Sequence, residues 1–396
     1  MVQLPIYLDF NATTPCDKMV VEDMLPYFSD IFGNASSRSH SFGWKAEEAV
    51  EAARAKVAQL LGAEKGEIIF TSGATESNNL ALKGIYERYA SKGNHIITTN
   101  IEHKAVLDTC HHLEKMGADI TYLKVNREGL VDLDELQSAI KPTTILISVI
   151  YANNEIGVIQ PMKAIGALAK KTGILFFSDA TQAVGRIPVH VEEDGIDLLS
   201  LSGHKIYGPK GVGALYVRRR NPRVHVNAQV HGGGHERNMR SGTLNVPAIV
   251  GLGKACELCS MLINEESRRL GQLRDKLEKE LLSLGGVTVN GSTLSRLPNT
   301  TNLAFDLVDS NALMIHLQKR IALSSGSACT SGSLEPSHVL KALDIGELAK
   351  NSIRFSLGRS TTEEEIEYVI GSVRKAVTEL KQLNPQWIMD QNNNVG

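Results

Sequence analysis

A lysine and an acid in this sequence have the chemistry that one organic cofactor requires. Lys205 follows the apolar run 196–201, and Asp179, 26 positions earlier, closes the apolar run 173–178. Buried strands that end in this way bring polar residues to one edge of an α/β sheet, where ligands commonly bind. A lysine that can form an imine and a carboxylate that can pair with a pyridinium nitrogen are the groups that proteins supply to pyridoxal 5′-phosphate (PLP). The pair therefore predicts a PLP enzyme.

The turn at residues 71–78 has the composition of an anion site. Its sequence, TSGATESN, stands between a predicted strand at 67–70 and a predicted helix at 77–90. Small residues there allow backbone N–H groups and a helix N-terminus to point at one spot, which suits a phosphate. Thr75 or Ser77 could equally be an ordinary helix cap. The Gly-Lys-Ser/Thr of a P-loop is missing, so that motif is excluded.

Further polar side chains follow strand-like runs and are candidate ligand contacts. His103 could stack on a cofactor ring and transfer protons, although a histidine at a helix start is often only a surface residue. Asn154 and Gln182 could contact a substrate carboxylate and a ring hydroxyl, yet turns also favour such amides. Arg354 lies in a strand-like alternation at 351–356, and a guanidinium is the natural bidentate partner of a carboxylate.

The five cysteines are too scattered for a disulfide framework and indicate a reducing compartment. Cys329 stands near the centre of the Ser/Gly-rich stretch 324–333, where a flexible loop would let a thiol visit two sites and react. Cys256 and Cys259 have the spacing of a redox pair. They fall within a helical pattern, so we expect ordinary core or surface cysteines there.

We predict no metal site. His231 and His235 have His-x-x-x-His spacing, but the three glycines between them make a helix improbable, so the imidazoles need not share a face. These glycines better suit a close backbone approach to a ligand or to another subunit. Thr243, a few residues later, could supply a hydroxyl to a phosphate, either in its own chain or in a neighbouring subunit.

The bulk properties point to a small-molecule enzyme of two domains. The chain has 396 residues, 42% of them hydrophobic, and exceeds the roughly 250–300 residues at which one core usually divides. Its net charge of −2 gives no reason to expect nucleic acid, and no uninterrupted apolar run reaches the ~18–20 residues of a membrane span. The N-terminus has neither a secretory signal nor an organellar presequence, which predicts a cytoplasmic protein or a mature chain already processed.

The periodicity predicts an α/β fold with a mostly parallel sheet that has helices on both faces. Up to about residue 255, predicted helices alternate with predicted strands. The helices are at 45–61, 77–90, 105–116, 133–140 and 164–171, and the strands are at 67–70, 95–98, 119–124, 144–150, 174–177 and 198–201. Beyond it we predict helices at 265–284, 312–320 and 363–383 and a strand at 299–306. This divides the chain into a PLP-binding α/β domain at 16–255, a small α+β domain at 256–396 and an N-terminal segment at 1–15.

Together these residues resemble the cysteine desulfurases, which are PLP enzymes of fold type I and class-V aminotransferases, in the branch that serves iron–sulfur cluster assembly. The likeness covers nearly the whole chain. Its motifs are YLDFNATT at 7–14, GNASS at 33–37, SGATES at 72–77, SGHK at 202–205, SGSAC at 325–329 and RFSLGR at 354–359. The lysine motif joined to the cysteine loop separates this family from other aminotransferases of the fold.

The resemblance implies a role for each candidate residue. Lys205 would be the Schiff-base lysine, Asp179 the partner of the pyridinium nitrogen and Gln182 a contact to the ring hydroxyl. His103 would stack on the ring and act in catalysis. The phosphate would be held by Ala74, Thr75, Ser202, His204 and Thr243 of the second subunit of a homodimer. The substrate carboxylate would be bound by Asn154, which also adjoins the cofactor, and by Arg354, and the nucleophile would be Cys329.

The implied reaction converts L-cysteine to L-alanine and leaves a persulfide on Cys329, whose sulfur passes to iron–sulfur cluster assembly and to tRNA thiolation. The implied partners are an iron–sulfur cluster scaffold protein and other sulfur acceptors. The tail at 384–396 is shorter than the docking tail of many relatives, so the resemblance leaves open whether a scaffold protein docks there and how tightly. The alternatives are an aminotransferase or selenocysteine lyase of the same fold, or a sulfur-transfer platform without turnover.

Overall fold

A computed structural model describes residues 2–325, 335–385 and 387 of the chain. The helices are α1 (Lys18–Met24), α2 (Pro26–Ser29), α3 (Ser41–Leu61), α4 (Ala74–Tyr89), α5 (Lys104–Lys115), α6 (Leu133–Ser138), α7 (Met162–Thr172), α8 (Val246–Leu282), α9 (Ser310–Leu317), α10 (His338–Ala342) and α11 (Glu363–Gln382). The strands are β1 (Ile6–Tyr7), β2 (Ile68–Thr71), β3 (His95–Thr99), β4 (Asp119–Leu123), β5 (Thr144–Ser148), β6 (Leu175–Asp179), β7 (Leu198–Ser202), β8 (Gly213–Val217), β9 (Val287–Val289), β10 (Thr300–Phe305), β11 (Ile321–Ala322) and β12 (Ser352–Ser356).

The large sheet confirms the predicted α/β class. Its strand order is β2-β8-β7-β6-β5-β3-β4, and only β8 is antiparallel to its neighbours. Both faces are covered, so alternate residues of one strand enter different cores: Phe176 faces the side of α3, α7 and α8, and Phe177 faces α4 and α5. Burial on both faces explains why β6 and β7 appear in the sequence as continuous apolar runs.

Helix α8 is much longer than the predicted helix at 265–284, because it begins at Val246. It packs tightly on α3: a Cβ at Gly253 would lie 2.6 Å from the Cα of Ala53, so the crossing requires glycine. Since α8 runs through residues 255 and 256, the proposed division between domains falls inside a continuous helix. That division remains a prediction.

By length and composition alone, α8 could also cross a membrane, although charged residues interrupt its apolar sequence. Of its most apolar 18-residue window, 61% is buried inside the protein. A buried core helix meets the same criteria, so they are weak evidence for a membrane span. Cys256 and Cys259 are buried free thiols of this helix, as expected for core cysteines.

A smaller antiparallel sheet follows, with the order β12-β10-β9. Apolar residues of this sheet pack with the second half of α8 and with α9 and α11. The N-terminal segment reaches this part of the molecule: β1 pairs with β11, and the Asn11 backbone N–H donates to Ser356 Oγ at 3.0 Å. The N-terminal segment therefore contacts both β11 and the small sheet.

A buried ion pair holds the loop before α8 to the edge of the large sheet. The Glu236 carboxylate accepts from both terminal nitrogens of Arg54, at 2.7 and 2.8 Å, and from the Phe70 backbone N–H at 2.7 Å. Both side chains are almost fully enclosed, with 5% of Arg54 and 2% of Glu236 exposed. Removing one partner of such a pair leaves the other as an uncompensated buried charge.

We expect Glu236→Ala to lower the free energy of unfolding by roughly 3 kcal/mol, the lower end for breaking a buried ion pair, because Arg54 loses its buried counter-charge and keeps only the partly exposed Glu51 at 2.8 Å. Denaturant titration of the cofactor-free chain measures this change. The control is Glu193→Ala, which removes the exposed partner of Lys163 at 3.0 Å and should leave the unfolding midpoint unchanged. Equal effects of the two substitutions would show that the Glu236 pair does not stabilise the fold.

Candidate active site

The predicted site residues converge on one cavity at the carboxyl edge of the large sheet. Asp179 is the last residue of β6, and Lys205 lies in a short 3₁₀ turn directly after β7. The cavity has a volume of about 510 Å³, which is the size of a small-molecule site. Its lining includes Ala74, Thr75, His103, Asn154, Asp179, Gln182, Ser202, His204, Lys205 and Arg354.

The Lys205 amine is held by backbone carbonyls of the N-terminal segment. Its Nζ donates to Asn11 O at 2.5 Å and to Ala12 O at 2.7 Å. Burial, followed by the positive charges of Arg186 and Arg354, lowers the pKa of Lys205 to about 7. A large fraction of this amine is therefore neutral near pH 7, whereas an ordinary lysine is almost fully protonated there.

The carboxylate of Asp179 is fixed at both oxygens. Oδ2 accepts from Asn78 Nδ2 at 2.8 Å, and Oδ1 accepts from the Thr181 backbone N–H at 3.0 Å. Asn78 is itself oriented by Ser200, whose hydroxyl donates to Asn78 Oδ1 at 2.5 Å. Since the Asn78 carbonyl is engaged by Ser200, its amide nitrogen must face Asp179, and the carboxylate cannot rotate without breaking two hydrogen bonds.

Two histidines of the cavity are held neutral. His103 caps α5: its Nδ1 accepts from the Ala105 backbone N–H at 3.1 Å, so the proton of the neutral ring is on Nε2. Burial lowers the pKa of His103. Burial and the neighbouring charges of Lys205 and Lys210 lower the pKa of His204 to about 4. Both rings are therefore polar but uncharged at neutral pH.

The turn at 71–78, which the sequence predicts as a phosphate site, contains the N-terminus of α4. The helix begins at Ala74, earlier than predicted, and its N-cap is Gly73 with φ 153°, a conformation that favours glycine. No side chain caps the helix, so the alternative in which Thr75 or Ser77 is the cap is wrong. Among the described residues the first helical N–H groups therefore have no side-chain acceptor, which suits an anion.

Arg354 is buried on β12 with only 1% of its side chain exposed. It pairs with Asp9 at 2.5 Å and donates to the Asn154 carbonyl at 2.9 Å. The strand is buried throughout, which differs from the expected alternation, because both of its faces are covered by protein. The guanidinium is thus fixed in direction before any ligand arrives.

One predicted residue, Thr243, is not among those that line the cavity. Cys329 lies outside the described residues. Thr243 belongs to a loop in which the Gly242 backbone N–H donates to His235 Nδ1 at 3.2 Å, and it is absent from the cavity wall. Its predicted contribution from a second subunit remains a prediction.

Sequence reasoning overlooked several residues that hold the site in place. Asn11 and Ala12 bind Lys205 across more than 190 positions of sequence, and no local pattern announces such a contact. Asn78 was noticed only as part of the anion turn. Arg186 follows Gln182 by four positions and donates to its side-chain carbonyl at 2.7 Å. A cation one helical turn after a polar site residue was the available signal.

The model of the class-V aminotransferase family matches residues 6–369. The chain belongs to the class-V aminotransferase family. Among its class-V relatives are proteins named cysteine desulfurase IscS, from Mannheimia succiniciproducens and from Anaeromyxobacter sp. strain Fw109-5. Each is 54% identical to this chain, over 391 and 390 residues respectively, covering 98% of this chain and 96% of the relative.

The chain is also similar to several solved structures. A NifS-like protein has a TM-score of 0.88 and 37% identity, covering 95% of this chain and all of the other. The NifS-like protein from Rickettsia africae ESF-5 has a TM-score of 0.84 and 36% identity, covering 94% and 99%. SspA in complex with cysteine has a TM-score of 0.79 and 40% identity, covering 89% and 98%.

The PLP cofactor predicted from the sequence is confirmed by the class-V family. The cavity fits it on chemical grounds. It combines a partly neutral amine with an anchored carboxylate, a neutral imidazole and a helix N-terminus that no side chain caps. Thr181 adds a buried hydroxyl without a hydrogen-bond partner in the described structure.

We expect Lys205 in the cofactor-free chain to react with an amine-acylating reagent with a midpoint near pH 7, because only the neutral amine is nucleophilic and its pKa is about 7. Reaction should rise as the pH increases through this value. Mass spectrometry of peptides after brief labelling measures it. Lys163 is the control, since its ion pair with Glu193 raises its pKa. Identical pH profiles for the two lysines would contradict the expectation.

Proposed function

We propose that this protein is a PLP-dependent cysteine desulfurase. It converts L-cysteine to L-alanine, collects the sulfur on Cys329 as a persulfide and supplies it to iron–sulfur cluster assembly, as a homodimer in the cytoplasm. Full-length similarity to proteins named cysteine desulfurase carries the proposal. The cavity alone would also suit other PLP enzymes, and the similarity to SspA, whose structure was solved in complex with cysteine, supports cysteine as the ligand.

The described residues have complementary roles towards PLP and the amino acid. Bound PLP supplies an electron sink for the bond that breaks at the amino-acid α-carbon. Lys205 would hold the cofactor and later take the α-proton at Nζ, for which an amine with a pKa near 7 is suited. Asp179 would face the pyridinium nitrogen, and its two fixed oxygens support this role. His103, neutral and buried, would lie against the ring.

The phosphate would lie at the N-terminus of α4. Backbone N–H groups at the start of the helix, together with its dipole, favour a doubly charged anion without a buried cation. The side-chain contacts that we propose are Thr75, Ser202, His204 and, from a second copy of the chain, Thr243, with Ala74 contributing its backbone. His204 has its Nδ1 beside the Thr13 hydroxyl at 3.1 Å, which fixes the ring.

The substrate carboxylate would be bound by Arg354 and Asn154. Asp9 and the Asn154 carbonyl already hold the guanidinium, so little side-chain entropy is lost when a carboxylate arrives. The negative charge of Asp9 compensates Arg354 while the site contains no substrate. A bound carboxylate would then share this cation with Asp9, which limits how tightly substrate and product are held.

The sulfur step balances without an external oxidant. The Cys329 thiolate attacks the substrate sulfur, an S–S bond forms and the bond between sulfur and Cβ breaks. The electron pair of that bond stays with carbon, which takes up a proton and becomes the methyl group of alanine. The products are therefore L-alanine and a persulfide on Cys329, and the enzyme thiol replaces any added reductant in this half of the reaction.

We expect Cys329→Ser to retain the bound PLP absorbance but to lose alanine formation from L-cysteine by at least about 100-fold, because a hydroxyl does not replace the thiolate nucleophile. Alanine and protein-bound sulfur should be measured together. The matched control is Cys16→Ser, which alters a half-buried free thiol that does not line the cavity. Unchanged turnover of the Cys329 variant would favour a transaminase or a lyase instead.

We expect Asn78→Ala to weaken PLP binding about tenfold or more, because Asp179 Oδ2 loses its side-chain donor and a hydrogen bond to a charged group contributes roughly 1.5–3 kcal/mol. Titration of cofactor-free protein with PLP, followed by absorbance, gives the affinity. Asn79→Ala is the control, since Asn79 donates only to Thr75 O within its own helix. Equal affinities of the two variants would argue against a role of Asn78 in orienting Asp179.

A further inference from the structure

Arg186 is a cation without a carboxylate partner, placed behind the wall of the cofactor cavity. Its guanidinium donates to Asn11 Oδ1 at 2.5 Å, to Gln182 Oε1 at 2.7 Å and to Phe10 O at 3.1 Å. All three acceptors are neutral. Among the described residues no acid forms an ion pair with Arg186, although buried arginines are normally paired. A buried cation that is held only by neutral acceptors therefore calls for an explanation.

The first consequence of Arg186 is the direction of the Gln182 amide. A guanidinium can only donate, so Oε1 of Gln182 must face Arg186 and the amide nitrogen must face away. One N–H of that nitrogen donates to Asn11 O at 3.0 Å. The other takes part in no hydrogen bond within the described residues, and Gln182 lines the cavity. The cavity thus receives an amide donor there, which suits an anionic ring oxygen.

The second consequence is electrostatic. Arg186 and Lys205 meet on one residue, because Arg186 binds the side-chain oxygen of Asn11 and Lys205 binds its backbone oxygen. Both also line a small cavity of about 20 Å³, room for roughly one water molecule. Two cations that share so little solvent repel each other, so the fixed charge of Arg186 opposes protonation of Lys205.

The charges around Lys205 agree with this account. After burial, Arg186 is the largest influence that lowers the pKa of Lys205, ahead of Arg354, while Asp9 and Asp179 oppose both. Burial lowers the pKa of Arg186 itself to about 10, so Arg186 remains a cation while Lys205 titrates. Two histidines also face Lys205: burial lowers the pKa of His103, and burial with the neighbouring lysines lowers that of His204 to about 4, so neither favours an added positive charge there.

We propose that Arg186 is a positioning residue of the cofactor site, which turns the Gln182 amide nitrogen towards the cavity and, as a fixed cation, disfavours a second positive charge on Lys205. The inference deepens the proposed function, on which it rests for the identity of the ring oxygen. Its electrostatic part concerns Lys205 alone and is testable without substrate.

The test compares the pH midpoint of Lys205 acylation in the full-length, cofactor-free chain and three variants. Arg186→Gln should raise the midpoint by about one pH unit, the size of shift that a neighbouring charge commonly causes. Arg186→Lys keeps the charge and should stay close to the wild-type value. Arg274→Gln is the matched control, because Arg274 is a buried arginine that donates to a carbonyl, Leu297 O at 2.8 Å, away from the cavity.

A second readout uses the PLP-loaded protein. The pH midpoint of its visible absorbance change should move upwards in Arg186→Gln and stay unchanged in Arg274→Gln. An unchanged midpoint in Arg186→Gln, or equal rises in the Gln and Lys variants, would overturn the proposal, since the charge would then not be the cause. Should Arg186→Gln fail to fold, a wild-type Lys205 midpoint near that of an ordinary lysine would overturn it as well.

These outcomes are separable from failure of the desulfurase proposal. Acylation of Lys205 requires neither L-cysteine nor turnover. A chain that forms no alanine but shows the expected midpoints would refute the desulfurase function and retain the role of Arg186. If the chain forms alanine but Arg186→Gln leaves the Lys205 midpoint unchanged, the desulfurase function is retained and the role of Arg186 is refuted.

Discussion

The site depends on the hydrogen bonds of one buried residue, Asn11. Its side chain accepts from Arg186 and from Asn299, and its amide nitrogen donates to Asn154 O and Thr300 Oγ1. Its backbone carbonyl accepts from Lys205 and Gln182. An N-terminal residue therefore ties the loops of the large sheet to the small sheet at the point where the cofactor amine is held. Because every polar atom of its side chain is used, displacing it would leave several buried groups unpaired.

This constraint explains why the site is assembled from so many parts of the chain. Strands β6 and β7 fix the positions of Asp179 and Lys205 along the sheet edge. Asp179 is paired in register with Ser200, two residues before the end of β7. The small sheet contributes Arg354, whose direction is fixed by Asp9 of the same N-terminal segment. The N-terminal segment is thus the common support of the amine and of the guanidinium.

The sequence was sufficient for those parts of the fold that depend on local pattern. Continuous apolar runs marked β6 and β7, because strands buried on both faces cannot alternate. Polar residues at the ends of those runs marked the site. The start of α8 was missed, since glycine and cysteine dilute the helical signal there, and β8 was missed as a short run that begins with Gly213. Contacts across the sequence, such as Lys205 on Asn11, leave no local trace.

The charges around the cavity affect both the protonation of Lys205 and the binding of anions. Around Lys205 the positive charges of Arg186 and Arg354 outweigh the negative charges of Asp9 and Asp179, so the surroundings favour anions. Burial, followed by the charges of Lys205 and Lys210, lowers the pKa of His204 to about 4, so a further positive charge there is disfavoured as well. A phosphate and a carboxylate would relieve this excess when they bind. The same excess that keeps Lys205 partly neutral therefore also attracts the two anionic groups that its chemistry requires.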